Sequence, residues 1–176
     1  MNVLLGVSGS ISAYKAVEVL RLFQKKGHQV SVILTKNAAR FVAPLTFETF
    51  APGKVYTDMF SPNQDPLLHI HICQSNDLLL VAPATANIIA KMANGIADDL
   101  LSTAYLVFEK EVVVAPAMNT AMYENPAVQE NIRRLQTRGL RVLEPEAGSL
   151  ACVTEGKGRL PSAEAIYNFC QKIEHV

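Results

Sequence analysis

The stretch Leu78-Leu79-Leu80-Val81-Ala82-Pro83-Ala84-Thr85-Ala86-Asn87 decides the fold. Four consecutive large apolar residues read as a strand buried on both faces, the habit of a parallel sheet covered by helices. The run stops at Pro83, and small and hydroxyl residues follow. Ile88, Ile89, Lys91 and Met92 then recur at helical spacing. The pattern predicts strand, tight turn, helix. Open N–H groups at such a helix start favour an anion or the polar edge of a ring.

The same alternation extends outward in both directions. Asn2–Val7 is an apolar run that enters Ser8-Gly9-Ser10. Ala13, Ala16, Val17, Leu20 and Phe23 follow a 3.6 period, with Lys15, Glu18, Arg21, Gln24 and Lys25 on the other face and Gly27 as the stop. Residues 30–34 form a second strand, so the chain opens as a βαβ unit. Residues 38–50 predict a helix in two pieces broken at Pro44, and 54–57 a short strand. Residues 61–66, rich in Pro, Asn and Asp, are the clearest loop. A helix carrying His69 follows and ends at Asn76-Asp77. Asp98-Asp99 cap a helix to about 108. Residues 112–115 are a strand and 116–123 its loop. A helix from Pro126 buries Val128, Ile132 and Leu135 and stops at Gly139. Residues 141–143 are the last strand, and 162–173 close as a helix. Residues 144–161 hold three glycines and no period. That length exceeds an ordinary connection and marks a functional flap. The expected fold class is α/β: one domain over 1–176, a doubly wound, mostly parallel sheet of Rossmann-like type in three αβα layers.

Composition narrows the function. Sixteen basic residues balance sixteen acidic ones, so nothing advertises nucleic-acid or anionic-membrane binding. No apolar run reaches the roughly 18 residues that span a bilayer. Met1-Asn2-Val3-Leu4-Leu5 lacks the basic start of a signal peptide. Cys73, Cys152 and Cys170 are odd in number and form no CxxC, which fits free thiols in a reducing cytoplasm.

Ligands of doubly wound sheets bind beyond the carboxyl ends of the strands. Those ends carry Gly9-Ser10, Thr35-Lys36, residues 83–87 and Pro116-Ala117-Met118-Asn119. Gly9-Ser10 suits phosphate but matches neither GxGxxG nor GxxxxGK[ST]. Thr35-Lys36 stands where a dinucleotide site carries an acidic residue for the ribose, which favours a mononucleotide over NAD. His69 and His71 would share a face on a strand but diverge on a helix. No third ligand is evident, so no metal is expected. Asn119 reads equally as a helix cap. Asp98-Asp99 read better as a cap than as a carboxylate pair. Cys152 stands in a loop, whereas Cys73 and Cys170 fit core packing.

Taken together, four segments resemble the homo-oligomeric flavin-containing cysteine decarboxylases. His69-Ile70 after Asp65-Pro66-Leu67-Leu68 resembles the family's histidine segment. Pro83-Ala84-Thr85-Ala86-Asn87 is similar to its PASANT motif. Pro116-Ala117-Met118-Asn119-Thr120-Ala121-Met122-Tyr123 is similar to PXMNXXMW. Leu150-Ala151-Cys152 with Gly156-Lys157-Gly158-Arg159 resembles the cysteine flap of phosphopantothenoylcysteine decarboxylases.

The resemblance implies FMN as cofactor, met by Gly9, Ser10, Ile11, Thr35, Lys36, Phe41, Thr85, Ala86, Asn87 and Ala117. It implies a trimer or dodecamer with the flavin at a subunit interface. The implied reaction converts 4′-phospho-N-pantothenoylcysteine to 4′-phosphopantetheine on the way to coenzyme A. Oxidation at the carbon bearing sulfur gives a thioaldehyde, CO₂ leaves, and the enethiol is reduced again. His69 would assist thiol deprotonation or orient the substrate. Asn119, with Met118 and Ala151, would meet the substrate and hold its carboxylate. Cys152 would protonate the enethiol, since a thiol with pKa near ~8.5 keeps its proton at neutral pH. Lys36, Arg159 or other cations would meet phosphates.

Three positions depart from the pattern. Val153 replaces the glycine after the flap cysteine, His71 replaces a common glutamate, and Tyr123 replaces the tryptophan of PXMNXXMW. The synthetase fused to many members is not expected within this chain, so a separate phosphopantothenoylcysteine synthetase is expected in the pathway. Rival readings are a peptidyl-cysteine decarboxylase of lantibiotic type, whose members generally lack the flap cysteine, a flavin prenyltransferase, and a non-catalytic FMN-binding regulator.

Overall fold

The apolar runs line up side by side. β1 (Asn2–Val7), β2 (Gln29–Leu34), β3 (Val55–Tyr56), β4 (Leu78–Ala84), β5 (Glu111–Pro116) and β6 (Arg141–Val142) form one sheet in the order β3-β2-β1-β4-β5-β6. Every neighbouring pair is parallel. The order reverses between β1 and β4, which makes their carboxyl ends the switch point of the sheet. The computed structural model describes residues 1–61, 64–149 and 155–172.

Helices cover both faces. A 3-10 turn (Ile11–Tyr14) leads into α1 (Lys15–Lys25), followed by α2 (Ala38–Phe41), α3 (Pro44–Glu48), α4 (Leu68–Gln74), α5 (Ala86–Asn94), α6 (Leu100–Val107), α7 (Thr120–Glu124), α8 (Pro126–Thr137) and α9 (Ala163–Gln171). Pro44 breaks the 38–50 segment because it starts a new helix at its first turn. Strand alternation feeds two cores. Val3, Leu5 and Val7 of β1 pack with Val19, Leu20 and Phe23 of α1 and Ile166 of α9. Leu4 points the other way, to Ile88, Ile89 and Met92 of α5, Leu101 of α6 and Leu135 of α8. Each such fully buried side chain contributes about 1.5–3 kcal/mol. Cys73 and Cys170 are buried in these cores.

Three details differ from the sequence reading. First, β4 does not stop at Pro83 but runs through it to Ala84. A register shift between Val81 and Ala84 takes Pro83 out of the ladder with β5, so its missing N–H leaves no gap. Its carbonyl is used instead, by the N–H and hydroxyl of Ser8. Second, the loop after β5 contains α7, capped by Asn119. Third, much of the 144–161 segment is an antiparallel hairpin of β7 (Glu146–Ser149) and β8 (Glu155–Arg159). Among the described residues, no helix is long and apolar enough to cross a membrane.

Candidate active site

The switch-point rim is tied together by Ser8. Its Oγ donates to the Pro83 carbonyl at 2.7 Å and accepts the Thr85 N–H at 3.0 Å. Its backbone N–H also reaches the Pro83 carbonyl, at 3.2 Å. The end of β1 thereby fixes the turn from β4 into α5. Thr85 then caps α5, its Oγ1 accepting the Ile88 N–H. Sequence reading passed over Ser8; its signal was a hydroxyl directly at a strand end beside glycine.

The neighbouring loops close on this point. The Thr35 N–H donates to the Val7 carbonyl at 3.0 Å, and Thr35 Oγ1 accepts the Ala38 N–H. Gly9 packs against this second loop: a Cβ there would sit 2.5 Å from Asn37 Cβ. Only glycine allows the first and second βα loops to approach this closely. On the other side, the Ala117 N–H donates to the Ala84 carbonyl at 2.9 Å, which joins the Asn119 loop to the same rim.

Two adjoining clefts result. The first, of about 660 Å³, is lined by Gly9, Ser10, Ile11, Thr85, Ala117, Met118 and Asn119, with Lys15, Met122 and Arg159. The second, of about 460 Å³, is lined by Gly9, Thr35, Lys36, Thr85, Ala86 and Asn87, with Lys91, Asp98 and Asp99. They share Gly9, Thr85 and Met122. Asn119 Oδ1 accepts the Ala121 N–H at 2.9 Å, which fixes the plane of its amide. Asp99 is both the cap of α6 and a partner of Lys91 at 2.8 Å, while Asp98 meets Lys91 at 2.6 Å. The expected capping role of this acidic pair is therefore joined by an ion-pair role.

The hairpin docks onto the Asn119 loop. The Met118 N–H donates to the Gly158 carbonyl at 2.9 Å. Gly158 has φ +145°, and a Cβ on it would meet the Met118 carbonyl at 2.2 Å. Both the positive φ and the backbone approach require glycine here. Ala151, Cys152 and Val153 lie outside the described residues.

Two candidates stand apart from the clefts. Phe41, at the end of α2, lines neither and is 52% exposed. His69, in the first turn of α4, also lines neither. His71, two residues on, pairs instead with Asp65, whose carboxyl is held below its ordinary range by the Leu67 N–H and by His71. Among the described residues, no group of three or more His, Cys, Asp or Glu gathers in a way that could hold a metal ion. Burial pushes the Cys73 thiol up to about 11, and it donates to the Ala104 carbonyl, which suits packing rather than reactivity.

The chain is similar to known proteins over almost its whole length. It is 48% identical over 172 residues to the coenzyme A biosynthesis bifunctional protein CoaBC of Bacillus subtilis (strain 168), covering 97% of this chain and 42% of that protein. It thus spans less than half the length of the curated relatives it matches. Among solved structures, a cysteine-to-serine mutant of PPC decarboxylase complexed with pantothenoylaminoethenethiol superposes with a TM-score of 0.88 at 30% identity, covering 99% of this chain and 98% of that one. The FMN-dependent cysteine decarboxylase SpaF superposes with a TM-score of 0.80 at 32% identity, covering 97% of each chain. The family model described as Flavoprotein matches residues 1–175, and the chain belongs to that family.

Proposed function

We propose that the chain catalyses the FMN-dependent decarboxylation of 4′-phospho-N-pantothenoylcysteine to 4′-phosphopantetheine in coenzyme A synthesis. The observation that carries this reading is the docking of the hairpin on the Asn119 loop, through the Met118 N–H and the Gly158 carbonyl. β7 and β8 bracket Cys152 in sequence, and the hairpin they form docks on the loop that carries Asn119. The likeness to a coenzyme A biosynthesis protein and to a PPC decarboxylase supports it.

The residues present fit FMN. Hydroxyls of Ser10, Thr35 and Thr85, the Asn87 amide and Lys36 suit a phosphorylated, hydroxyl-rich tail, while Ile11, Ala117 and Met118 suit a flat ring. Ser10, Ile11, Thr35, Lys36, Thr85, Ala86, Asn87 and Ala117 would hold it, with Gly9 giving room. Bound there, FMN would supply the reversible redox chemistry, the electron sink that a cysteinyl carboxylate lacks. Asn119 orients the substrate carboxylate through its amide N–H₂, a neutral donor that releases CO₂ readily. Met118 and Ala151 flank the same substrate. Cys152 gives a proton to the enethiol as it is reduced.

His69 takes the thiol proton. Because His69 lines neither cleft of its own chain, we place it at the site of a second copy in a homo-oligomer. Ile11 and Tyr14 line the first cleft and are exposed large side chains, and Phe41 of α2 and Leu45 of α3 are exposed as well, which fits burial against another copy. The test is direct: FMN-loaded protein incubated with 4′-phospho-N-pantothenoylcysteine releases CO₂ stoichiometrically with 4′-phosphopantetheine, and absence of both refutes the reading.

A further inference from the structure

The first cleft carries charge that the chemistry at Asn119 and Cys152 does not use. No carboxylate lines it among the described residues, yet Lys15 and Arg159 do. Neither cation makes an ion pair with a described residue. The contrast with the second cleft is chemical: there Lys91 is held by Asp98 and Asp99, and Lys36 is the cation left to an anionic ligand.

Arg159 is also placed by the hairpin. It follows Gly158, whose carbonyl is bound by the Met118 N–H, so its backbone is fixed against the Asn119 loop. Its side chain lies along Gly148 of the facing strand, where a Cβ would sit 3.5 Å from Arg159 Nη1. The other described charges of this segment are engaged elsewhere. Lys157 pairs with Glu144, and Glu146 accepts the Ser162 N–H at the start of α9. A forked guanidinium lining a cleft that has no carboxylate among the described residues is suited to a phosphate monoester.

The geometry points to Arg159, with Lys15 on the same cleft, as the subsite for the terminal phosphate of the substrate, which selects phosphorylated pantothenoylcysteine over an unphosphorylated or peptidyl cysteine. This rests on the decarboxylase reading above. The phosphate of FMN is a second source of the same chemistry. The cofactor's phosphate is assigned to the second cleft, with Lys36, and the substrate's to the first, because Arg159 belongs to the hairpin that carries the cysteine segment.

The experiment compares kcat/KM for the phosphorylated and unphosphorylated cysteinyl substrates in wild type, Arg159→Gln, Arg159→Lys and Lys15→Gln, alongside binding of FMN and riboflavin. The wild type prefers the phosphorylated substrate. In Arg159→Gln that preference falls roughly 10- to 100-fold, mostly through KM, as expected for loss of a charge-assisted contact. Lysine at 159 recovers part of it, and Lys15→Gln shows a smaller fall. A preference unchanged in Arg159→Gln overturns the proposal. So does a loss of FMN affinity with riboflavin affinity intact, which would assign Arg159 to the cofactor's phosphate. A wild type that binds FMN and converts neither substrate overturns the decarboxylase reading itself and this subsite with it.

Discussion

The Met118 N–H and the Gly158 carbonyl meet at 2.9 Å, so two segments forty residues apart in sequence share one backbone contact between residues that line the first cleft. The positive φ of Gly158 and its approach to the Met118 carbonyl leave no room for a side chain. Gly158→Ala is expected to push the hairpin off the Asn119 loop. A non-glycine residue at positive φ costs about 1–2 kcal/mol before the clash is counted. The expected result is at least a tenfold loss of kcat/KM with FMN still bound, read from steady-state kinetics and the flavin absorbance of the purified variant.

Ser8 binds the ends of β1 and β4 through one buried hydroxyl. Ser8→Ala leaves the Thr85 N–H without that acceptor and the Pro83 carbonyl with one donor fewer. The loss is about 1–3 kcal/mol for a buried group left unsatisfied. Thermal unfolding is expected to show a lowered Tm, and FMN titration a weaker affinity, because the displaced turn starts the helix proposed to face the cofactor.

His69 stands away from both clefts of its own chain. His69→Asn is expected to keep the flavin colour and lose turnover. Mixed oligomers of His69→Asn and Asn119→Ala, each inactive alone, are expected to recover part of the activity, since some interfaces then hold one intact histidine and one intact asparagine. Recovery is measured after co-expression with two distinguishable tags.

Acid stability has a sign fixed by Asp77. Its carboxylate accepts the Asn2 N–H at 2.8 Å and meets Lys110 at 3.1 Å, and these hold its pKa below the ordinary 3.8. A depressed folded-state pKa adds stability above the unfolded value, lost as pH falls through the folded one. Wild type therefore loses this increment below about pH 4, and Asp77→Asn shows a flatter pH–Tm curve there. The group is close to solvent, so the increment is small and falls with salt.

Much of the fold is legible because its signals are local. The apolar run 78–81 marks a doubly buried strand, Pro44 a helix start, and Asp99 a cap, and each needs only its neighbours. The extension of β4 through Pro83 is not local: it depends on Ser8, seventy-five residues away, and on a bulge opposite β5. The hairpin is illegible for a related reason. Its residues are glycine and charge rather than alternating apolar side chains, and its order comes from docking on Met118. At the site, the strand-end rule gathers Gly9, Ser10, Thr35, Lys36, residues 85–87 and Asn119 on one rim, because topology alone dictates it. The position of His69 follows from how α4 packs, which no spacing within 65–71 encodes.

Cys152 is proposed as the proton donor of the last step. Cys152→Ser is expected to bind FMN and release CO₂ but to yield the oxidised enethiol with the flavin left reduced. Mass spectrometry of the product and bleaching of the flavin band in the absence of oxygen check both halves. Formation of 4′-phosphopantetheine at the wild-type rate would remove Cys152 from the mechanism.

The most direct test of the central claim is the product mass after incubating the FMN-loaded wild-type protein with 4′-phospho-N-pantothenoylcysteine and, separately, with a peptide ending in cysteine. The account predicts 4′-phosphopantetheine, the substrate less one CO₂ and with its hydrogens restored, and no change in the peptide. Conversion of the peptide alone, or of neither while FMN stays bound, would contradict it.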